Sequence, residues 1–372
     1  MRTSASLLAA TALMAASACA SAQDTVSVAF TGTLTGDFAS YGVTGKQGFD
    51  LAIEAYNAKK GPQVSVTVVD DHGNPGDAVL AANRFCSDKN VSAVVGYTFS
   101  SVALASMPIL DKCKLPVIGT AVTSPQLTGT SPYFRRVALT DATQGKLMGE
   151  YVAKTLGLKN VYLLYQQDDY GIGVQQAFKA AYEAAGGTLL GNDPYMLGTK
   201  DFRTLLTKVK SKRPEGIFIA GFYTEAASLV AQAKAMRINA RMLGNDGSLS
   251  PQLMALSNGA AEGMTLYGTF DPSASADASP VAAGFVKAFT AKYKSEPDSW
   301  AALGYDAGLA LTAAIDAAKA KGGIDRASLQ TQLGAISGLP GATGQVQFEK
   351  SGDRNASVLF FTVKNGKFAL AK

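Results

Sequence analysis

Val26-Ser27-Val28-Ala29-Phe30, running into Thr31-Gly32-Thr33-Leu34-Thr35-Gly36-Asp37-Phe38-Ala39-Ser40-Tyr41-Gly42, is a short apolar run that breaks into small, hydroxyl-bearing and turn-forming residues. Gln47 to Lys59 follows with Phe49, Ile53 and Tyr56 at helical spacing. Strand, loop and amphipathic helix in that order form the repeating unit of a parallel sheet. The unit recurs: strands are predicted at Val64–Val69, Val91–Val95 and Pro116–Ile118, and helices at Asp77–Asp88, capped by Asp77, and at Val102–Lys112. These four strands make one wound layer.

The register then restarts. Helices are predicted at Asp141–Thr155, Gly173–Ala185, Phe202–Lys210 and Thr224–Met236, alternating with strands at Val161–Tyr165, Thr188–Leu190, Ile217–Ala220, Arg241–Leu243 and Met264–Tyr267. A small-residue loop, Ser273 to Ser279, leads to long helices at Val281–Lys294 and Trp300–Lys319, which need a sheet to cover and so return the chain to the first layer. A last pair of strands is expected near Gln345–Phe348 and Val358–Val363. At 372 residues the chain is long for a single core, and two α/β domains joined by several crossings can hinge.

The N-terminus reads as an export signal: Arg2, an apolar and small-residue stretch from Leu7 to Ala18, and Ala20-Ser21-Ala22 before Gln23. Cleavage after Ala22 leaves an exported, soluble chain. Lipidation at Cys19 is the rival reading, although Ala16 stands where lipoprotein signals usually carry a large aliphatic residue. The charge of +5 falls by one with the leader and is spread along the chain, which does not suit a nucleic-acid binder. Cys86 and Cys113 survive cleavage, each near the end of a helix that precedes a strand. An oxidising compartment allows them to pair, and a disulfide is expected, with two buried thiols as the alternative.

Ligands of open parallel sheets sit beyond the carboxyl ends of the strands. There the chain places Gly96-Tyr97-Thr98-Phe99-Ser100-Ser101 and Gly119-Thr120-Ala121-Val122-Thr123-Ser124-Pro125 in the first half, with Ser100 and Ser101 at a helix start where an anion is favoured. N-capping and turn formation explain such hydroxyls equally well one at a time. The second half offers Gln166-Gln167-Asp168-Asp169-Tyr170-Gly171, Gly221-Phe222-Tyr223-Thr224-Glu225 and Gly244-Asn245-Asp246-Gly247. Asp246 could face a ligand ammonium or simply form a turn. Tyr170 and Phe222 could wall a ligand or belong to the core.

In order, Ser40-Tyr41-Gly42, Val94-Val95-Gly96, Ser100-Ser101, Ala121 to Thr128, Tyr170-Gly171, Lys200-Asp201-Phe202 and Ala261-Glu262-Gly263 resemble the periplasmic binding proteins of the leucine/isoleucine/valine type, the type 1 solute receptors of ABC importers. The resemblance implies two doubly wound parallel-sheet lobes joined by three hinge crossings. One lobe comprises 23–139 and 272–352, and the other 140–271 and 353–372. It implies that Ser100, Ala121 and Thr123 hold a ligand carboxylate and that Asp246 receives an ammonium. Tyr41, Tyr170, Phe222 and Trp300 would line the cleft; Phe222 stands where Tyr is usual in that family, and Trp300 where Phe is usual. The implied protein is a monomeric periplasmic receptor without cofactor, binding a small apolar or branched-chain amino acid and delivering it to a permease and its ATPase.

Two other functions compete. The same fold with an aromatic carboxylate as ligand would stack a ring on Trp300, Phe222 and Tyr170, but would leave Asp246 without a cation. A hydrolase would need a base, and the only histidine, His72, lies in the turn Asp70-Asp71-His72-Gly73-Asn74-Pro75, with no Gly-x-Ser-x-Gly, phosphate-binding loop or His/Cys metal cluster elsewhere.

Overall fold

The computed structural model describes residues 25–273 and 279–371. The leader, Cys19 and most of the Ser273–Ser279 loop lie outside the described residues. The first half forms β1 (Thr25–Gly32), α1 (Ala39–Asn57), β2 (Gln63–Asp70), α2 (Pro75–Ser87), β3 (Val91–Gly96), α3 (Ser100–Lys112), β4 (Val117–Gly119) and β5 (Phe134–Arg136). Their sheet is wholly parallel, in the order β2-β1-β3-β4-β5.

The second half forms α4 (Asp141–Glu150), β6 (Asn160–Gln166), α5 (Asp169–Ala184), β7 (Thr188–Tyr195), α6 (Arg203–Lys212), β8 (Gly216–Ala220), α7 (Tyr223–Ala235), β9 (Arg241–Gly244), α8 (Pro251–Ser257) and β10 (Thr265–Gly268). Every residue of β8 is buried, so both faces of its sheet are covered, as in a doubly wound layer. The chain then builds α9 (Pro280–Tyr293), α10 (Ser299–Ala320) and α11 (Arg326–Gly334), which pack with α1 and β3 of the first half. A small hairpin follows, β11 (Leu339–Gly341) with β12 (Gly344–Val346), and then β13 (Leu359–Lys364) and β14 (Lys367–Leu370).

Several expectations are corrected. The first sheet has a fifth strand, β5, in which Arg135 and Arg136 are buried instead of marking a solvated turn: Arg135 donates to the adjacent Phe134 carbonyl, and Arg136 to Asp353, 217 residues further on. The two final strands do not pair: β12 stays in its hairpin, while β13 and β14 extend the second sheet antiparallel, in the order β14-β13-β10-β9-β8-β6-β7. That sheet is therefore mixed. Helix α2 is capped by Asn74, whose side chain accepts from the Gly76 and Asp77 amides, and Asp77 lies in the first turn. Helix α1 begins at Ala39, eight residues earlier than its apolar spacing suggested, so Tyr41 sits on its first turn and not in a loop.

Cys86 and Cys113 form a disulfide with Cα atoms 5.7 Å apart, tying the end of α2 to the residue after α3. Two buried ion pairs tie the last crossing to the first half. Arg136 meets Asp353 at 2.6 Å, and Arg354 reaches the Val137 carbonyl at 3.1 Å and Asp306 at 3.4 Å. Helices α1 and α10 touch backbone to backbone: a Cβ on Gly48 would lie 1.8 Å from the Ala301 carbonyl oxygen, and one on Gly304 1.9 Å from that of Gly45.

Candidate ligand-binding site

That helix contact fixes two of the expected site residues. Tyr41 on α1 and Trp300, second residue of α10, meet edge to face with ring centroids 5.2 Å apart. From the other half, Phe222, in the cap position of α7, packs against Tyr41 at 5.7 Å and Phe99 at 4.8 Å, and stacks on Tyr170 at 5.0 Å. Tyr41, Ser100, Ala121, Tyr170, Phe222 and Trp300 thus surround one cavity of about 10 Å³, with Thr98, Phe99 and Gly247 completing its wall. Asp246 and Trp300 line a second of similar size, between Leu139, Gln144, Ser299 and Leu303. Thr123 lines neither; it is buried beside Asp141.

Each space has room for about one water molecule. The two halves are closed on each other through direct bonds. The Tyr41 hydroxyl donates to the Gly247 carbonyl and accepts from the Tyr223 amide at 3.3 Å, the Tyr223 hydroxyl donates to the Asp37 carbonyl at 2.6 Å, and Gln126 donates to Asp169 at 3.2 Å.

The first-half wall is built by backbone and hydroxyls. Helix α3 starts at Ser100 but takes no side-chain cap; the Ser100 hydroxyl accepts instead from the Ser124 amide at 3.2 Å, which leaves its own proton to donate. Tyr97, at the strand end, holds φ +66°, an uncommon conformation for a ring-bearing residue and a mark of a locally strained turn. The Ala121–Ser124 loop is pinned by Arg136, which donates to the Ser124 carbonyl at 2.8 Å, and by the Asp141 amide, which donates to the Thr123 carbonyl at 2.9 Å.

The opposite side carries two buried acids. Asp246 accepts from Tyr170 at 2.5 Å, the Gly247 amide at 2.9 Å and Gln144 at 3.1 Å. Burial still raises its carboxyl above the ordinary 3.8, the hydrogen bonds pulling the other way. Asp141 is fully buried, and neither of its oxygens has a hydrogen-bond partner; the Thr123 hydroxyl is equally unpartnered. Its carboxyl is raised well above 3.8, first by burial and then by the charge of Asp246, with the nearby Thr123 hydroxyl and then Arg136 opposing, although the hydroxyl is not placed for a hydrogen bond of ordinary geometry. Two like charges in a low-dielectric pocket are costly without a cation between them.

Asp141 is the main residue that sequence reading missed. At the start of a helix it looks like an ordinary first-turn acid, but Thr140 does the capping, accepting from the Thr143 amide at 3.1 Å. The signal available was the pair itself: a capping Thr directly before an Asp has no need of the second side chain. Tyr223, Phe99 and Gln144 were also passed over, since nothing local separates them from core residues.

Residues 25–367 match the family model described as periplasmic binding protein. The chain belongs to that family. As a periplasmic binding protein it is 29% identical over 353 residues to the Leu/Ile/Val-binding protein BraC3 of Rhizobium johnstonii, covering 93% of this chain and 94% of the relative. The leucine-binding protein LivK of Thermotoga maritima superposes with TM-score 0.89 at 30% identity, covering 93% of this chain and 98% of that one. LivJ of Streptococcus pneumoniae, solved with isoleucine, gives 0.86 at 28% identity, covering 93% and 99%. The match accounts for the type 1 architecture of two α/β lobes with a cleft between them.

Proposed function

We propose that the protein is a periplasmic receptor that closes two lobes on a small amino acid and hands it to an ABC importer. The observation that supports it best is the pair of buried acids: Asp246 lines the cavity beside Trp300, Asp141 lies behind it, close enough for its carboxyl to be raised by the Asp246 charge, and the Ser100 hydroxyl lines the neighbouring cavity. An ammonium between the acids relieves their mutual repulsion and their desolvation. The carboxylate of the same molecule meets Ser100 and the Ala121–Thr123 loop; the Thr123 hydroxyl, beside Asp141, serves the ammonium end. The relatives named for leucine, isoleucine and valine support a ligand of that size.

The lobes divide at 139/140, 271/272 and 352/353, and hinge there. The small closed cavities mean that a ligand enters only with the lobes apart, and closure is favoured by no more than the ligand's differential affinity for the two states. The leader at 1–22 delivers the protein to the periplasm, where it acts as a monomer, binding without catalysis, and its closed form is what the permease reads. An aromatic carboxylate fits less well, because it supplies no cation to Asp141 and Asp246. A thermal-shift screen of unfolded, ligand-stripped and refolded protein tests this: the melting temperature rises with at least one L-amino acid and not with benzoates. A rise with benzoates alone overturns the reading.

A further inference from the structure

We infer that Trp300 donates a hydrogen bond to the ligand's side chain, so that the preferred amino acid carries a side-chain acceptor, a hydroxyl or amide oxygen, in place of a purely aliphatic group. This rests on the amino-acid reading of the cleft and refines its side-chain class. Trp300 is buried, lines both cavities, and its Nε1 has no hydrogen-bond partner. The indole N–H only donates, so an acceptor must come from outside the protein.

The other polar side-chain atoms around the front cavity each have a partner, although the Ser100 and Thr98 hydroxyls accept and keep a proton to donate. Tyr41 is bonded to Gly247 and Tyr223, Tyr170 to Asp246, Ser100 to Ser124, and Thr98 accepts from the Thr33 amide at 3.0 Å. Among the described residues lining that cavity, the indole nitrogen is the one buried side-chain polar atom left unpaired. Other buried atoms without a partner, among them the Thr123 hydroxyl, the Asp141 oxygens and the hydroxyls of Tyr97 and Tyr267, line neither cavity. Trp300 is set apart from these: it belongs to the ring of Tyr41, Phe99, Tyr170 and Phe222 that would enclose a side chain. An aliphatic side chain there leaves the N–H desolvated and unpaired, whereas its isostere with an oxygen does not.

Two isosteric pairs test this by calorimetry on stripped protein: threonine with valine, and asparagine with leucine. The oxygen-bearing member of at least one pair binds about tenfold tighter or better, a factor expected of one buried hydrogen bond. Trp300→Phe weakens the oxygen-bearing ligand more than its aliphatic isostere, so the ratio of the two affinities falls towards one. Equal or tighter binding of the aliphatic member in both pairs overturns the inference, as does an equal loss for both members in Trp300→Phe, which would assign the N–H to the common part of the ligand. Binding of none of the four overturns the inference; the amino-acid reading falls with it only if no L-amino acid raises the melting temperature in the thermal-shift screen.

Trp300 is the only tryptophan in the chain, so the wild-type protein gives a second readout that does not depend on the variant folding. In a ¹⁵N-labelled sample its single indole N–H resonance moves downfield in the complex with the oxygen-bearing ligand relative to its isostere. The same position in both complexes contradicts the proposal.

Discussion

Asp141 and Asp246 carry the charge chemistry of the proposed function, and their burial has a consequence for pH. Both carboxyls are raised by desolvation in the ligand-free protein, Asp141 the more so because Asp246 is near. The folded state then holds protons that the unfolded chain has released above the ordinary value of 3.8, so stability falls as pH rises through the raised range. An ammonium reverses the preference, because it favours the ionised pair. Affinity therefore tightens as pH rises and weakens as it falls through the raised range, and binding releases protons there, which calorimetry in buffers of different ionisation enthalpy will measure. Asp141→Asn is expected to make the ligand-free protein more stable at neutral pH by about 1–3 kcal/mol, the scale of one buried unpaired polar group, while weakening ligand binding. Urea unfolding beside calorimetry checks both; a variant that is less stable and binds normally would remove Asp141 from the site.

Elements rather than single side chains bring Tyr41 to Trp300. Because the α1–α10 contact is backbone to backbone at Gly48 and Gly304, a single methyl group must push the helices apart. Gly304→Ala is predicted to cost about 1–3 kcal/mol, the range for overpacking a tight core, and to weaken ligand binding although it touches no ligand. Unchanged stability and affinity would show that the contact is not what positions the cleft. The Cys86–Cys113 bridge closes a separation of 27 residues within the first lobe, and the Cys86→Ser/Cys113→Ser variant is expected to lose about 3–4 kcal/mol by loop-closure entropy, read from urea unfolding, with affinity unchanged. At this scale the sequence was legible where burial is two-sided. Val91 to Val95, interrupted only by Ser92, and Ile217 to Ala220 are largely covered on both faces and read as apolar runs. Phe134-Arg135-Arg136 was opaque because its strand depends on Asp353, 217 residues further on, and no local pattern announces such a partner. The first turn of α1 was opaque for a related reason: Gly42 and Tyr41 answer to Thr33 and to the far lobe, not to helical periodicity.

Across the whole molecule, two sheets meet over a cleft whose walls come from segments as distant as Tyr41 and Trp300 on one side and Tyr170, Phe222 and Asp246 on the other. Six of the expected residues, Tyr41, Ser100, Ala121, Tyr170, Phe222 and Trp300, line one cavity and Thr123 does not; strand ends pointed to most of them, and the roles came from the resemblance. Asp141 was not legible, since its importance lies in a missing partner, which only three-dimensional packing reveals. The lobes are held closed by Tyr41, Tyr223 and Gln126, and the proposed opening must break those bonds. The central claim is that an amino acid is gripped at both charged ends, with the ammonium on the acids of the second lobe. Its most direct test is a calorimetric cycle comparing the amino acid bound most tightly with its 2-hydroxy-acid analogue, on wild type and Asp246→Asn. The account predicts that wild type binds the amino acid at least about 30-fold tighter, about 2 kcal/mol for a buried charge pair, and that Asp246→Asn erases most of that difference. Equal affinity for the two ligands, or an equal loss of both in Asp246→Asn, would contradict it.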